Sequence, residues 1–504
     1  MPRSILRPAA TIAALLVLGM TAGVAVAQTA GEWPGLQGGG AHTGVAPDGP
    51  APPLREAWRF DPELTGRFGV SPPVIGGDIA VTVGPEAVFG VDLATGEAAW
   101  EIPRDYGPSV VPALATAETG ELLIYTEGYG EDPPSQAYPS ASPTAGASAA
   151  SATPTPTPTP STGAADGDET GDASSGRVVA VDLETREPVW DTSVELEAVT
   201  RTGVTVDGDT AYVGDDGGTV TAIDVASGEV RWTFDAGGPV STPIAAAEDT
   251  VIVFVPPKDD RPSVLVALHA ADGTEAWRIG DEAGVFYTST PAILDGTVYL
   301  GFLDATGNRL RALALDDGGE RWAAVSLSRF APFGPAAVTS EAVYAIDLSG
   351  QLRALSSSTG EQLWDYAINT LVPRDAVSYG SALLVPTARG SLLAIDTQSH
   401  DLAARTAAAG PQGYLRAPAA APDVVVAVKG GHHPGLVAFS TDPGASLLSV
   451  PSPTELDPGR MVANFAIAAV PMLIMLALAG RWLLRRVGPA FADDHATDDL
   501  EANA

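Results

Sequence analysis

The chain has 504 residues, a formal net charge of −35 and no cysteine. A sequence without cysteine excludes disulfides, thiolate catalysis and thiolate metal sites. The acidic balance disfavours nucleic-acid partners, because binding to nucleic acid requires positive side chains that neutralise phosphates. The length allows a sizeable core, so the fold has to be held together by apolar burial.

The N-terminal residues have the pattern of a secretory signal peptide. Arginines precede an apolar run over residues 9–20, and an Ala-x-Ala cleavage site ends at Ala27. This order of charged, apolar and small residues is typical of a signal that is removed after export. We therefore predict a signal peptide over residues 1–27 and an N-terminal lead-in over residues 28–53.

A short segment that usually ends in tryptophan recurs seven times along the chain. Where nothing interrupts the repeat, successive copies lie about 40–45 residues apart, which is the period of a four-stranded propeller blade. The last copy has lost its tryptophan. The seven copies are Gly90–Trp100, Ala180–Trp190, Ala222–Trp232, Ala267–Trp277, Ala312–Trp322, Ala354–Trp364 and Ala394–Ala404.

Short strand signals, mostly rich in β-branched residues and flanked by Gly, Asp or Pro, precede these segments and set the number of blades. Eight of them are predicted as second strands, which favours an all-β, eight-bladed β-propeller over residues 54–443. Seven blades is the alternative, if the last unit is not a true blade. The eight signals are Asp78–Val83, Glu121–Tyr125, Thr210–Val213, Thr250–Val255, Thr297–Phe302, Ala342–Ile346, Ala382–Val385 and Val424–Val428.

One strand signal near the N-terminus lacks the rest of its blade. Leu54–Phe60 has the pattern of a fourth strand and contains Trp58, but no other strand signal precedes it. The unit at the C-terminus lacks a fourth strand. Pairing the two would close the ring and remove an exposed strand edge, so we predict that Leu54–Phe60 completes the last blade.

Residues 130–175 interrupt the repeat with a low-complexity Ser/Thr/Pro/Ala-rich sequence. The segment has few apolar residues and an acidic end, so it cannot bury enough surface to offset the entropy of ordering. Without it, the distance from Trp100 to Trp190 becomes about one repeat. We predict a disordered insertion within one blade.

The C-terminal residues predict a membrane anchor. After a linker over residues 444–460, residues 461–480 carry no charge and are long enough to span a bilayer as a helix. Arginines follow at once, and such residues beside a span stay in the cytoplasm. We predict a single-pass protein of the bacterial cell membrane, with the propeller outside and an acidic cytoplasmic tail over residues 481–504.

The tryptophan positions are predicted to be structural. Counting the orphan strand, seven of the eight units carry one, and a bulky ring that recurs at one position fills the wedge between neighbouring sheets. A residue that recurs in several blades is a poor candidate for catalysis. The structural tryptophans are Trp58, Trp100, Trp190, Trp232, Trp277, Trp322 and Trp364.

The repeat closely resembles the PQQ-like family, named after pyrroloquinoline quinone, whose signature is A-x-D-x-x-T-G-x-x-x-W. Ala222–Trp232 and Gly90–Trp100 match it nearly position by position. The resemblance implies an eight-bladed propeller with tryptophan docking between blades. It does not imply one function, since some members are quinone-dependent dehydrogenases, whereas others bind no quinone and act as scaffolds in membrane assembly or as sensor ectodomains.

The sequence favours a scaffold over an enzyme. The alcohol dehydrogenases that the repeat resembles carry adjacent cysteines near the quinone and hold calcium through Glu, Asn and Asp. This chain has no cysteine, and the sequence around Asn308 shows no calcium spacing. We therefore predict no catalytic, cofactor or metal residues, no bound quinone or calcium, and a membrane-anchored module that binds a protein or cell-surface ligand. A quinone-dependent oxidoreductase is the alternative.

Five residues are candidates for binding at the mouth of the central channel. An alignment of the first strands on a Ser-x-Pro pattern places Arg201, Arg374 and Arg416 where other blades have serine, and Tyr287 and Tyr414 two positions earlier. Arginine and tyrosine are enriched among residues that dominate binding energies. Ordinary surface variation is the alternative interpretation.

Overall fold

The computed structural model describes residues 32–441, except 65–68, 119, 129–175, 191–192, 258–261, 282–286, 305–306, 324–332, 348–349, 369, 373–374, 407–412 and 432. The predicted signal peptide, nearly the whole insertion, the linker, the predicted span and the tail therefore lie outside the described residues. Within the described part of the chain, no helix combines the length and apolarity needed to cross a membrane.

The described chain forms eight antiparallel sheets arranged around an axis, and the innermost strands of successive blades touch in a closed circle. The prediction of an eight-bladed propeller is confirmed, and the seven-bladed alternative is wrong. The first strand of the chain, β1, is Leu54–Phe60. Blades 1 to 4 contain β2–β5 (Val74–Gly76, Ile79–Val83, Ala87–Asp92, Ala98–Pro103), β6–β9 (Ala113–Ala117, Gly120–Glu127, Gly176–Asp182, Val194–Leu196), β10–β13 (Thr205–Asp207, Thr210–Gly214, Thr219–Asp224, Val230–Asp235) and β14–β17 (Ala245–Ala247, Thr250–Val255, Ser263–His269, Glu275–Asp281).

The later blades repeat this pattern, except that the innermost position of blade 5 is shared by two short strands that both pair with β20. Blades 5 to 7 contain β18–β22 (Tyr287–Thr288, Ala292–Leu294, Thr297–Asp304, Gly307–Ala314, Glu320–Ala323), β23–β26 (Phe333–Val338, Ala342–Asp347, Gln351–Ser356, Gln362–Ala367) and β27–β30 (Val377–Tyr379, Ala382–Pro386, Leu392–Asp396, Leu402–Arg405). Blade 8 contains β31–β33 (Tyr414–Ala421, Val424–Gly430, Gly435–Thr441).

The ring closes in blade 8 with strands from both ends of the described chain. β1 pairs antiparallel with β33, with Leu54 opposite Thr441 and Trp58 opposite Ala438. This is the predicted closure. The second strands are almost fully buried, because each is covered by its own blade's neighbours and by the adjacent sheets.

The turn between third and fourth strands is set by the Asp-x-x-Thr-Gly part of the repeat. In blade 1 the carboxylate of Asp92 accepts hydrogen bonds from the backbone N–H of Thr95 (2.8 Å) and from its hydroxyl (2.9 Å). The same bonds hold the pKa of Asp92 below its usual value. Gly96 follows with φ of 75°, a conformation that is costly for residues with a Cβ.

Five tryptophans, four on fourth strands and Trp190 just before one, dock on this turn in the next blade. Each indole N–H donates to a backbone carbonyl of the turn, and the ring lies against its glycine, where a Cβ on Gly96, for example, would be 2.6 Å from Trp58. The Asp-x-x-Thr-Gly sequence therefore shapes one turn and also receives the neighbouring blade. The donor–acceptor pairs are Trp58–Leu93 (2.7 Å), Trp190–Val225 (2.9 Å), Trp232–Ala270 (2.8 Å), Trp277–Leu315 (2.8 Å) and Trp322–Ser357 (2.8 Å).

Two tryptophans face turns that lack the glycine, and both behave differently. The turn after Trp100 has Arg186 at the glycine position and the turn after Trp364 has His400, each with φ of 64°. Trp364 stacks on the imidazole of His400, with ring centroids 4.9 Å apart. Trp100 instead lies over Gly90 of its own blade, where a Cβ would be 2.0 Å from the indole.

The repeat copy without a tryptophan has a topological explanation. Ala404 occupies the tryptophan position of blade 7, opposite Ala394, and therefore faces blade 8. In blade 8 the third and fourth strands are β33 and β1, which come from opposite ends of the described chain. No turn joins them directly, so a tryptophan at position 404 would have no turn on which to dock.

Replacement of a docked tryptophan should destabilise the ring strongly. We expect Trp58→Ala and Trp232→Ala each to lower the free energy of unfolding by about 3–5 kcal/mol, because each removes a buried ring and its hydrogen bond. Trp100→Ala, whose indole makes no bond to the next blade among the described residues, should cost less. Chemical denaturation of the three variants provides the comparison. Wild-type stability of Trp58→Ala would mean that β1 does not hold the ring closed.

The position of Trp100 should depend on two residues at once. Gly90→Ala places a methyl group against the indole and should cost about 1–3 kcal/mol, as overpacking generally does. Arg186→Gly supplies the missing docking glycine, so Gly90→Ala with Arg186→Gly should be more stable than Gly90→Ala alone. A double-mutant cycle of unfolding free energies measures this coupling. Strictly additive effects would contradict it.

Candidate functional site

The alternation of antiparallel strands gives the ring two different faces. The turns between first and second strands and between third and fourth strands lie together on one side, which we call the turn face. The connections between second and third strands and between successive blades lie on the opposite side, which we call the loop face. The central channel runs from one face to the other along the innermost strands.

The lead-in occupies the channel on the side of the turn face. Innermost strands of six blades donate a backbone N–H to its carbonyl groups, and Trp33 and Ala46 donate in return to the carbonyls of Ile75 and Ser378. Sequence analysis missed this arrangement. The six bonds run from Ile75 to Trp33 (2.9 Å), Leu114 to Pro34 (2.7 Å), Ala246 to Gly40 (2.9 Å), Ile293 to Ala41 (2.8 Å), Val338 to Thr43 (2.7 Å) and Ser378 to Gly44 (2.9 Å).

The approach between lead-in and strands is close enough to require glycine at two positions. A Cβ on Gly40 would be 2.6 Å from the carbonyl oxygens of both Val206 and Ala246. A Cβ on Gly44, whose φ is 66°, would be 2.6 Å from the carbonyl oxygen of Ala336. The small residues in this part of the lead-in are the one feature of the sequence that could have indicated this close contact.

His42 is the ionisable group at the centre of this contact. It is 2% exposed, and its Nδ1 donates a hydrogen bond to the carbonyl of Pro291 (3.3 Å). Burial lowers the pKa of His42 from 6.5 to about 4, because it penalises the charged form more than the carbonyl stabilises it. The imidazole is therefore neutral at physiological pH.

Protonation of His42 should weaken the fold in mildly acidic solution. The folded state holds His42 neutral, so the unfolded state binds the proton more readily between pH 6.5 and about 4. The stability associated with the neutral imidazole is complete above pH 6.5 and is lost as the pH falls, by about 3 kcal/mol in total. We expect His42→Gln to reduce this loss in denaturation curves measured from pH 7 to 4. His433→Gln, at an exposed position, is the control and should leave the pH dependence unchanged.

The residues predicted to bind a ligand belong to the half of the channel next to the loop face. Ser71 and Ser289 begin the innermost strands there, and their hydroxyl oxygens accept the backbone N–H groups of Val83 and Gly301, both at 2.9 Å. They lie four residues before the level of Ile75, or about 13 Å along a strand. The candidates are therefore well separated from the lead-in.

The strand register corrects one alignment made from the sequence. Thr202 is equivalent to Ser71, because its hydroxyl oxygen accepts the backbone N–H of Gly214 (3.4 Å), as that of Ser71 accepts the N–H of Val83. Arg201 precedes that position by one residue. Its Nε donates to Asp216 at 2.7 Å on the surface of the loop face, where the arginine side chain is 51% exposed.

Arg416 does occupy the serine position, and it joins blade 8 to its neighbours. Its Nη2 donates to the carbonyl of Val70 in the approach to blade 1 (3.1 Å), and the next residue, Ala417, donates its N–H to Asp375 beside blade 7 (3.1 Å). The Nε of Arg416 is buried and has no hydrogen-bond partner among the described residues. Arg416 thus makes a structural contact to blade 1 and keeps a buried polar group beside it.

The remaining candidates are distributed over different blades. Tyr414 is 42% exposed, and its ring lies on Gly430, where a Cβ would be 2.0 Å away. Tyr287 begins β18 in blade 5, but its side chain lies outside the described residues, and so does Arg374. Of the candidates whose side chains are described, Tyr414 and Arg416 lie close together at the start of β31, whereas Arg201 belongs to blade 3.

The turn face is acidic. The turns of the turn face carry many carboxylates, and crowding is clearest at Asp207, where burial and then the charges of Asp249 and Asp209 raise the pKa to about 6. A solvated acidic surface of this kind is unlike the core of a protein interface, where charged residues are depleted. The turn-face carboxylates include Asp78, Asp92, Asp182, Glu184, Asp207, Asp209, Asp224, Glu248, Asp249, Asp272, Asp295, Asp316, Asp317, Glu341, Asp396 and Asp423.

A buried arginine organises the loop face where the insertion interrupts the ring. β7 and β8 pair on either side of the gap, with Glu127 opposite Arg177. Arg104, 7% exposed, donates to the carbonyls of Thr126, Pro108 (3.0 Å) and Pro85 (3.4 Å). Burial lowers its pKa to about 10. The chain therefore leaves and rejoins blade 2 at a braced position.

The described residues do not fit a quinone held by calcium. No group of three or more His, Asp or Glu side chains in the described ranges is placed to hold a metal ion. Half of the channel is occupied by the lead-in, and the described residues at the level of Ser71 on the other blades are Val110, Thr202, Thr242, Ser289, Gly334 and Arg416. This set lacks the carboxylate ligands that calcium prefers.

These observations define a closed eight-bladed propeller whose blades are joined mainly by tryptophan docking. Residues 174–351 match the family model described as outer membrane protein assembly factor BamB. This match supports the resemblance to the PQQ-like family that the repeat shows.

Two relatives and one solved structure show the extent of the similarity. The chain is 26% identical over 218 residues to outer membrane protein assembly factor BamB of Yersinia pestis, covering 39% of this chain and 53% of the relative. It is 43% identical over 114 residues to serine/threonine-protein kinase AfsK of Streptomyces griseus, covering 20% of this chain and 13% of the kinase. The chain thus spans about half the length of the first relative and a small part of the second.

The structural likeness extends to an enzyme but shows the fold alone. A quinohemoprotein alcohol dehydrogenase, ADHIIG from Pseudomonas putida, superimposes with a TM-score of 0.52 at 11% identity, covering 84% of this chain and 82% of the dehydrogenase. Fold similarity at this level is compatible with unrelated functions, since function depends on the residues of the site.

Proposed function

We propose that this protein is a binding or scaffold module that presents a propeller outside the bacterial cell membrane and recruits another protein to its loop face. The observation that carries the proposal is the asymmetry of the channel. The turn-side half is filled by the lead-in, whereas the loop face displays an exposed tyrosine, exposed arginines and the braced base of an insertion.

The direction of the chain supports the choice of the loop face. β33 runs from the loop face to the turn face, so the described chain ends at Thr441 on the turn face. The residues that follow are predicted to lead through the linker to the membrane span. A partner that binds the loop face therefore does not meet the point at which the described chain ends.

The relatives support a module that serves other proteins. One relative is named as an assembly factor for outer membrane proteins, and the other is named as a protein kinase. Similarity to proteins with such different roles is more readily explained by a shared binding function than by a shared reaction. The described residues at the level of Ser71 include no carboxylate, which supports a binding module over a calcium-dependent enzyme.

Substitutions on the loop face should weaken partner capture. We expect Arg201→Glu and Tyr414→Ala to reduce the protein recovered with the anchored propeller from cross-linked membranes by at least about tenfold, as loss of central interface residues does. Arg186→Glu makes the same charge change on the turn face and should have no effect. Quantitative mass spectrometry of the co-purified proteins measures recovery. Equal losses with all three substitutions, or with none, would contradict a specific role of the loop face.

The proposed orientation can be tested by protease accessibility. Protease added to intact cells, after any outer barrier has been opened, should remove the propeller and spare a tag placed after Ala504. The reason is that residues 481–504 follow the predicted span and its flanking arginines. Immunoblotting for both ends gives the readout. A protected propeller would overturn the orientation.

A further inference from the structure

The innermost strand of each blade is an edge strand that faces the channel. Edge strands present backbone N–H and C=O groups that have no partner within their own sheet. In a ring, these groups converge on the axis from all sides. The channel is therefore a site with a regular set of backbone donors and acceptors, whatever the side chains around it.

The lead-in uses this set in the way that a bound peptide would. Six innermost strands donate to carbonyl groups between Trp33 and Gly44, at distances of 2.7–2.9 Å. Main-chain bonds supply most of the contact, since Trp33 is the one large apolar side chain of this stretch that is fully buried in the described structure. Addition of an extended peptide to a sheet edge is a common recognition mode, in which the backbone supplies affinity and pockets supply specificity.

Specificity would come from two close contacts and two side chains. Gly40 and Gly44 touch backbone carbonyl groups so closely that a Cβ has no room. Trp33 and His42 are each 2% exposed. The channel therefore distinguishes a peptide with glycines four residues apart, as in the sequence Gly-Ala-His-Thr-Gly over residues 40–44, from peptides with side chains at those positions.

We propose that the turn-side half of the channel is a peptide-binding site and that residues 33–46 are its tethered ligand. The site takes an extended, glycine-containing peptide with this spacing. Pro47 and Asp48, which follow the ligand, are exposed, so the connection to β1 is accessible. While the tether is intact, the high local concentration of the ligand excludes competitors.

The proposal can be tested on the whole protein by cutting the tether. A protease site is introduced between Pro47 and Asp48, the purified protein is cleaved, and a fluorescent peptide of residues 31–47 is added in excess. We expect the labelled peptide to replace the unlabelled segment, with a rise in anisotropy that the uncleaved protein does not show. A peptide with Gly40→Val should bind at least tenfold more weakly. A peptide with Thr43→Val, which keeps the backbone carbonyl bonded to Val338, should bind like the natural sequence.

A second variant covers the case in which cleavage disturbs the ring. Gly40→Val in the uncleaved chain displaces the tethered segment, so this variant should bind the natural peptide while its tryptophan fluorescence remains that of a folded propeller. Absence of exchange in both experiments would show that the segment is a fixed part of the core. Unfolding upon release of the segment, or equal binding of the three peptides, would also overturn the proposal. None of these results depends on a partner at the loop face.

Discussion

The ring depends on a flat indole that rests on a residue without a side chain. Each docked tryptophan belongs to one blade, and the glycine and carbonyl that receive it belong to the next. The contact is apolar over the ring and polar at the N–H group, so it buries area and also fixes orientation. At the five interfaces that contain this contact, the stability of the interface depends on the turn geometry of the receiving blade.

The interfaces that depart from this rule show how the constraint operates. Arg186 and His400 adopt the turn conformation of the missing glycine, but their side chains occupy the space of the incoming ring. Trp364 stacks on the imidazole of His400, whereas the indole of Trp100 lies over Gly90 of its own blade. At Ala404 the turn itself is absent, and a small pocket lined by aliphatic side chains such as Leu54 and Leu392 remains at this position. The ring therefore tolerates different solutions, including an interface with no large aromatic ring.

The sequence predicted the architecture well because the architecture is repeated. The number of blades, the closing strand and the second strands follow from periodicity, which averages over local exceptions. The site was harder to predict. Arg201 was misaligned by one position because both threonines of the Thr-Arg-Thr sequence bond to the carbonyl of Gly214. The backbone N–H of Gly214, which donates to the Thr202 hydroxyl, identifies Thr202 as the serine equivalent.

The lead-in could not be predicted from periodicity at all. It has no repeat, and its bonds connect residues that are tens to hundreds of positions apart along the chain, such as Gly44 and Ser378. Glycines at 40 and 44 are informative only once the surrounding carbonyl groups are known. A segment that occurs once and binds through its backbone has no distinctive composition. For this reason the contact between the lead-in and the innermost strands could not be predicted from the sequence.

The pairing of β1 with β33 also determines how the molecule would respond to tension. The two strands are antiparallel and both have their free ends on the turn face, with Leu54 beside Thr441. A force that pulls these two ends apart opens the β1–β33 ladder from one end. Its hydrogen bonds then break one after another, so that only one bond at a time opposes the force. Before such a force from the N-terminal side can reach Leu54, it must detach residues 33–46 from six blades. The central segment thus shields the closure of the ring from mechanical load that arrives through the N-terminal part of the chain.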